Sequence, residues 1–508
     1  MKKIFILYFF LSLTPFYSQK QPNIIVFIVD DMGWMDTSVP FTDTAYPLNK
    51  QFHTPNMERL AKTGTKFTNA YATPICTPSR VSLLTGMNAA HHKVTNWTMP
   101  HRDRNSDQSD EQFEAAEWNI NGLNPSGDVP RSVQANPLPE LLKNEGYYTI
   151  HAGKAHFAPN GTPGSNPENL GFMINIAGTG AGRPLSYLGQ ENYGNIDGKA
   201  HNVHAVPGMT EYFGSDLYLT EALTQRALNS LKTPIHRKEP FFLYLSHFAV
   251  HDPYEADERY LQKYLDAGLE RVEAIYASMI EGMDKSLGDI MDFLEENEIE
   301  ENTILLFISD NGGLSMAPPR GGTENTQNFP LRAGKGSVYE GGIRVPMIVK
   351  WNGVTEPSSD YHQPVIIEDF FPSILQMASI KPSNIIQSVD GKSFIPLLKK
   401  PQLKKEDRLL IWHIPNKWIA KDNLGINYRS AIRKGEWKMI YNMRDGSNEL
   451  YNLTTDIGER EDLSSKYPDR VKELSILLSE RLRKWKSPMP IIKLSGVEAP
   501  MPDEVYKN

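Results

Sequence analysis

One cysteine occurs in 508 residues, in the run Cys76-Thr77-Pro78-Ser79-Arg80-Val81-Ser82-Leu83-Leu84-Thr85-Gly86. Proline shortly after it fits the first turn of a helix, where a missing N–H costs nothing. The open N–H groups of such a turn favour an anion, and Arg80, one turn on, points a positive charge back at the same spot. A reactive thiolate fits this setting. Two acidic or amide pairs, Asp30-Asp31 and Asp310-Asn311, each close an apolar run. An isolated Asp-Asp is more often a solvated turn or a helix cap. Two such pairs entering one crevice reverse that preference, and hard oxygens without adjacent Cys or His pairs suit Ca2+ or Mg2+ rather than zinc. Lys154 and His156 in Gly153-Lys154-Ala155-His156, His247 and His251 in Ser246-His247-Phe248-Ala249-Val250-His251-Asp252-Pro253, and Lys335 in Arg332-Ala333-Gly334-Lys335-Gly336 complete the chemically capable groups. Gly334-Lys335 is no phosphate-binding loop, because Gly336 stands where Ser or Thr is required.

The elements that must position these groups are four apolar, β-rich runs: Asn23–Val29, 147–151, 241–245 and Thr303–Ser309. Near-continuous apolar strands separated by helices predict a mostly parallel sheet covered on both faces. The functional crevice of such a sheet lies beyond the carboxyl ends of its strands, so four separate segments converge there. Helices are predicted at 57–63, 79–86, 139–145, 217–231, 260–296 with a break near Gly268, 369–378 and 469–485. The polar, Gly-, Asn- and Pro-rich stretches 96–137 and 159–215 are long enough to be site walls. From Leu409 onward short alternating strands (Leu409–Ile414, Arg429–Lys434, Trp437–Asn442 and 449–452) predict a small antiparallel sheet with one helix. The organisation is therefore α/β, with a main domain over 22–398, a linker at 399–405, a small α+β subdomain over 406–486 and a loosely packed tail over 487–508.

Residues 1–18 have the basic start, short apolar run and small residue (Ser18) of a cleaved export signal, with no cysteine for a lipid anchor. An exported, periplasmic or secreted protein without a membrane anchor is expected. A solitary cysteine in that oxidising setting calls for a use. Lys+Arg of 53 against Asp+Glu of 61 gives a net charge of -8, no reason to expect nucleic acid as a partner. An anionic substrate must then be held by a local cluster of cations.

The Cys76–Arg80 run resembles the sulfatase motif whose cysteine is converted after translation to formylglycine, an aldehyde. His53-Thr54-Pro55-Asn56 with Leu60, Phe67-Thr68-Asn69-Ala70-Tyr71 and Tyr339-Glu340-Gly341-Gly342-Ile343-Arg344-Val345-Pro346 also resemble type I sulfatases of the alkaline-phosphatase superfamily, and the likeness runs from Asn23 to about Asp462. The resemblance implies an alkaline-phosphatase-like fold and hydrolysis of sulfate esters. It implies a formylglycine-generating or maturase enzyme as partner. It places one Ca2+ on Asp30, Asp31, Asp310, Asn311 and residue 76. It gives Arg80 the orienting of a hydrated aldehyde. Lys154, Lys335 and His251 neutralise the sulfuryl oxygens, His251 or Lys335 protonates the leaving oxygen, and His156 deprotonates the second hydroxyl so that sulfate is expelled. The motif's usual Leu-Gly after its histidine is Phe157-Ala158 here. His247 is read as a packing residue.

Export and the long polar loops point to a sulfated glycan, such as ulvan, carrageenan, fucoidan or a glycosaminoglycan. Candidate walls are Trp97, His101, Arg102, Arg104, Arg183, His201 and His204, since Arg and aromatic residues suit charged sugars. The alternatives are a phosphate or phosphonate ester hydrolase of the same superfamily, a glycan-binding protein with an unmodified thiol, and a structural calcium protein.

Overall fold

Seven-residue apolar runs without a polar face form strands only where helices cover both sides of a sheet. In the computed structural model, Asn23–Val29 and Thr303–Ser309 are buried along their whole length. The structure describes residues 21–506 apart from 316–319, 321–322, 382, 400–407 and 423, so the expected export signal at 1–18 and most of the expected linker lie outside the described residues.

The central sheet is built from β1 (Asn23–Val29), β2 (Thr65–Phe67), β3 (Tyr148–Gly153), β4 (Ile174–Ile176), β5 (Phe241–Ser246), β6 (Thr303–Ser309), β7 (Met347–Lys350) and β8 (Ser359–Tyr361). Their order is β8-β2-β7-β6-β1-β5-β3-β4. Pairing is parallel for β1 with β5 and β6, for β3 with β5 and β4, and for β8 with β2; β7 runs antiparallel to both of its neighbours. Register carries the functional consequence. Val29 pairs with Ser309, Ile28 with Ser246, and Gly153 with Ser246. The segments after β1, β3, β5 and β6 therefore leave the sheet at one height and at one edge.

Alternate residues of β1 feed two cores, Ile24, Val26 and Ile28 on one face and Ile25, Phe27 and Val29 on the other. Helices cover both. The break near Gly268 separates Glu258–Asp266 from Arg271–Glu296. The helix expected at 217–231 runs on through Pro234 as Leu219–Arg237, ending at left-handed Lys238.

The C-terminal subdomain is a four-stranded antiparallel meander of β9 (Leu409–Ile414), β10 (Arg429–Lys434), β11 (Trp437–Asn442) and β12 (Asn448–Asn452), backed by the helix Pro468–Trp485. Lys438 locks it to the main domain, its ammonium 2.9 Å from Glu340 and 2.8 Å from Glu459 with all three side chains fully buried. The tail is not loose as expected. Ile491–Ile492 pairs with Val497–Glu498, Tyr441 donates to Pro500 O at 2.7 Å, and Arg483 pairs with Asp503 at 2.7 Å. Met489 and Ala499 fill the subdomain core, an anchorage without periodicity.

Candidate active site

Position 76 opens the helix Cys76–Thr85, which starts earlier than the expected 79 and ends at Gly86, where φ is 70°. Ile75 offers no side-chain cap, so the first-turn N–H groups stay open toward the cavity. Cys76 is only 3% exposed, and its Sγ lies 3.5 Å from His156 Nδ1.

The two acid pairs meet beside it. Carboxylate oxygens of Asp30, Asp31 and Asp310 lie within 4.8 Å of one another, all buried. Asn311 Nδ2 donates to Asp31 Oδ1 at 2.8 Å, and the Asp31 N–H donates to Asp310 Oδ1 at 3.2 Å. Cations surround them. Lys154 Nζ is 2.6 Å from Asp30, and Lys335 Nζ is 2.7 Å from Asp31. Arg80 grips Asp310 Oδ2 through Nε at 3.0 Å and Nη2 at 2.8 Å, and also donates to Lys154 O and Ser246 Oγ.

Burial pushes the Asp30 carboxyl up to about 8; Lys154 works against this and Asp310 with it. Burial also opposes ionisation of Asp31, but the charges of Lys335, His251 and Lys154 outweigh it and hold that carboxyl at about 2. Asp310 is likewise drawn below its ordinary value, by Arg80 above all, against the cost of burial. Asp30 Oδ1 and Asn311 Oδ1 are buried and accept no hydrogen bond. Unpartnered oxygens beside crowded carboxylates fit a hard divalent cation held by Asp30, Asp31, Asp310 and Asn311.

The two histidines differ. His156 Nε2 lies 2.9 Å from Thr98 O, so that nitrogen carries the proton and Nδ1 presents a lone pair toward position 76. Burial and the Lys154 charge keep its pKa well below the usual histidine value. Burial and Lys335 work against the His251 proton too, but Asp31, Asp30 and the bond to Asp252 win, and its pKa is raised. His251 Nδ1 is 2.9 Å from Asp252, which turns Nε2 toward Asp31 at 3.7 Å. His247 is buried beneath the site, 2.8 Å from Ser286 Oγ and against Phe27.

A cavity of about 550 Å3 opens over this floor, with Asp31, Cys76, His156, His251 and Lys335 in its lining. Of the walls read from sequence, Trp97, His101, Arg183 and His204 line it. Arg102, Arg104 and His201 do not; they are exposed elsewhere. Asp103, held by Asn121 and Arg131, draws the Arg102 guanidinium back along its own loop at 3.1 Å. Met99, Leu314, Trp418 and Ile419 join the lining without having been read from sequence. Asp252 was visible beside His251; Trp418 carried no local signal.

Residues 22–380 match the family model described as Sulfatase. The chain belongs to the sulfatase family. Residues 333–487 of this sulfatase also match the model for the C-terminal part of N-sulphoglucosamine sulphohydrolase. It is 29% identical to a sulfatase of Formosa agariphila, over 92% of this chain and 89% of that one. It is 31% identical to mouse (Mus musculus) N-acetylgalactosamine-6-sulfatase, over 78% of this chain and 70% of that one. Among solved structures, Ps i-CgsB superposes with a TM-score of 0.71 at 26% identity, covering 92% of this chain and 94% of that one. The same protein solved with k-i-k-neocarrahexaose gives a TM-score of 0.70. The sulfatase is thus a hydrolase of sulfuric esters with a mostly parallel α/β core and a small antiparallel C-terminal sheet. Among the described residues no helix is long and apolar enough to cross a membrane.

Proposed function

We propose that this sulfatase is exported and removes sulfate from a sulfated polysaccharide, of algal or glycosaminoglycan type, or from its oligosaccharides. In this reading Cys76 is oxidised to formylglycine and the acid cluster holds one Ca2+. The observation that carries it is the cavity: a cationic floor at position 76 beneath walls bearing Trp97, His101, Arg183 and His204, large enough for a drug-sized ligand. The neighbour solved with k-i-k-neocarrahexaose supports the glycan class. Since Cys76 is almost wholly buried, the formylglycine-generating or maturase enzyme acts before the site closes around it.

When present, the hydrated aldehyde supplies the nucleophile and the calcium ion screens the charge on sulfur's oxygens. The rest falls to ordinary side chains. Arg80 fixes Asp310 and the backbone at Lys154, so the anion-binding groups keep their places. Lys154, Lys335 and His251 present positive charge to the sulfate group where water is excluded. His251, protonated and held through Nδ1 by Asp252, gives the Nε2 proton to the departing alcohol oxygen. His156, kept neutral with Nδ1 facing position 76, takes the proton of the second hydroxyl so that sulfate leaves.

A panel of carrageenan, ulvan and chondroitin 6-sulfate oligosaccharides, read by sulfate release, tests the substrate class. At least one member is turned over about 100-fold more efficiently than an aryl sulfate, a difference of about 2.7 kcal/mol in transition-state binding. Turnover of the aryl sulfate alone removes the glycan reading. His156→Ala slows sulfate release by about 10²–10⁴-fold while the first alcohol still leaves, so rapid mixing shows a burst of alcohol equal to the enzyme present. Equal slowing of both products assigns His156 another task.

A further inference from the structure

One wall of the cavity is not built by the main domain. Trp418 and Ile419 reach it from the loop joining β9 to β10 of the C-terminal subdomain. Three contacts hold this loop. The Trp418 ring lies on Gly336 so closely that a Cβ there would stand 2.0 Å from Cε3 and Cζ3. Asn427, fully buried with φ 58°, accepts the Trp418 N–H at 2.8 Å and donates to Ile419 O at 2.9 Å. Lys417 pairs with buried Asp110 at 2.9 Å, and its carbonyl accepts the Gln108 N–H at 2.9 Å, strapping the loop to the long 96–137 segment. The indole is thereby ordered by folding, before any ligand arrives, which removes an entropic cost from binding.

A sulfate group alone needs only the cationic floor. A rigid aromatic plate in a cavity that Trp97 and Ile419 also line asks for a flat apolar partner, while Arg183, His204 and Asp252 in the same cavity ask for polar substituents. A pyranose ring has both: C–H groups on a face and hydroxyls around its edge. We infer that Trp418 is a specificity-determining residue, the platform on which a pyranose ring of the sulfated oligosaccharide packs, so that the C-terminal subdomain supplies part of the glycan site. This rests on the glycan reading above.

The test uses full-length enzyme and sulfated hexasaccharides of carrageenan and of chondroitin 6-sulfate, whichever the wild type desulfates faster. Trp418→Ala raises KM about 10-fold or more while kcat changes by less than about 3-fold, and Trp418→Phe recovers most of the loss. Trp418→Leu keeps apolar bulk against Gly336 without a flat plate; it retains the wild-type melting temperature and shows the same KM defect. An unchanged KM in Trp418→Leu, or a fall in kcat alone, overturns the inference, because the ring then only props the neighbouring Lys335. Failure of the glycan reading looks different. The wild type itself then desulfates neither hexasaccharide, and both proposals fall together.

Discussion

Cys76→Ser yields a protein that melts like the wild type, still binds glycan, and releases sulfate at least about 10⁴-fold more slowly. The substitution changes almost nothing structural. Serine is slightly smaller than cysteine, the helix Cys76–Thr85 keeps its Pro78 and Gly86 ends, and His156 Nδ1 still faces the side chain at position 76. What changes is the chemistry open to position 76. A serine oxygen has no second hydroxyl on the same carbon, so His156 has no proton to remove and sulfate has no internal push for its departure. At most one turnover is therefore available to each enzyme molecule. Sulfate release under excess substrate, with mass spectrometry of the peptide spanning residue 76 in the wild type, checks both halves. Sustained turnover by the serine variant, or an unmodified thiol in fully active wild type, eliminates the aldehyde mechanism.

Much of the site was readable because buried parallel strands advertise themselves. Asn23–Val29 and Thr303–Ser309 carry no polar interruption, so the acids that end them had to stand at the crevice, and register puts Val29 beside Ser309. The edges of the sheet were not readable. Thr65–Phe67, Ile174–Ile176 and Ser359–Tyr361 are each three residues long and gain their strand character from a neighbour rather than from their own pattern. The same physics divides the walls. Arg183 faces the cavity because Asp252, one residue beyond His251, holds it at 3.1 Å. Arg102 does not line it, because Asp103, its neighbour in the chain, holds it at 3.1 Å. Sequence composition sees two arginines in two polar loops and cannot separate them. Trp418 is the extreme case: its place over Gly336 depends on how a whole subdomain docks, through pairings such as Lys438 with Glu340 that join residues far apart in the chain.

Asp310→Ala lowers stability by about 3–5 kcal/mol and abolishes sulfate release, the second large effect expected. Arg80 and Asp310 are both fully buried, so deleting the carboxylate leaves a guanidinium with no partner at Nε and a long 3.7 Å approach from Nη2 to Asp30. The sign with pH follows from the direction of the Asp310 shift. Its carboxyl lies below the ordinary 3.8 in the folded protein, so its stabilising contribution is complete above that value and fades as pH falls through the folded pKa. The penalty of the substitution is thus full at neutral pH and shrinks only in strong acid. Activity is lost for a separate reason. With a divalent cation bound and the Asp30 proton displaced by it, the carboxylates of Asp30, Asp31 and Asp310 offset Arg80, Lys154 and Lys335, and the charge of the ion is then the positive surplus that draws an anionic ester into a protein of net charge -8. With one acid gone, the remaining oxygens hold the ion weakly. Calcium at a hundredfold excess over its dissociation constant adds about 2.7 kcal/mol to the wild type, and that gain is largely absent in the variant. Asp310→Asn separates the two effects: it keeps an oxygen for Arg80 and loses less stability, yet its melting temperature also fails to respond to calcium. A calcium response as large in both variants as in the wild type places the ion elsewhere and breaks the link between the acid cluster and the chemistry at position 76.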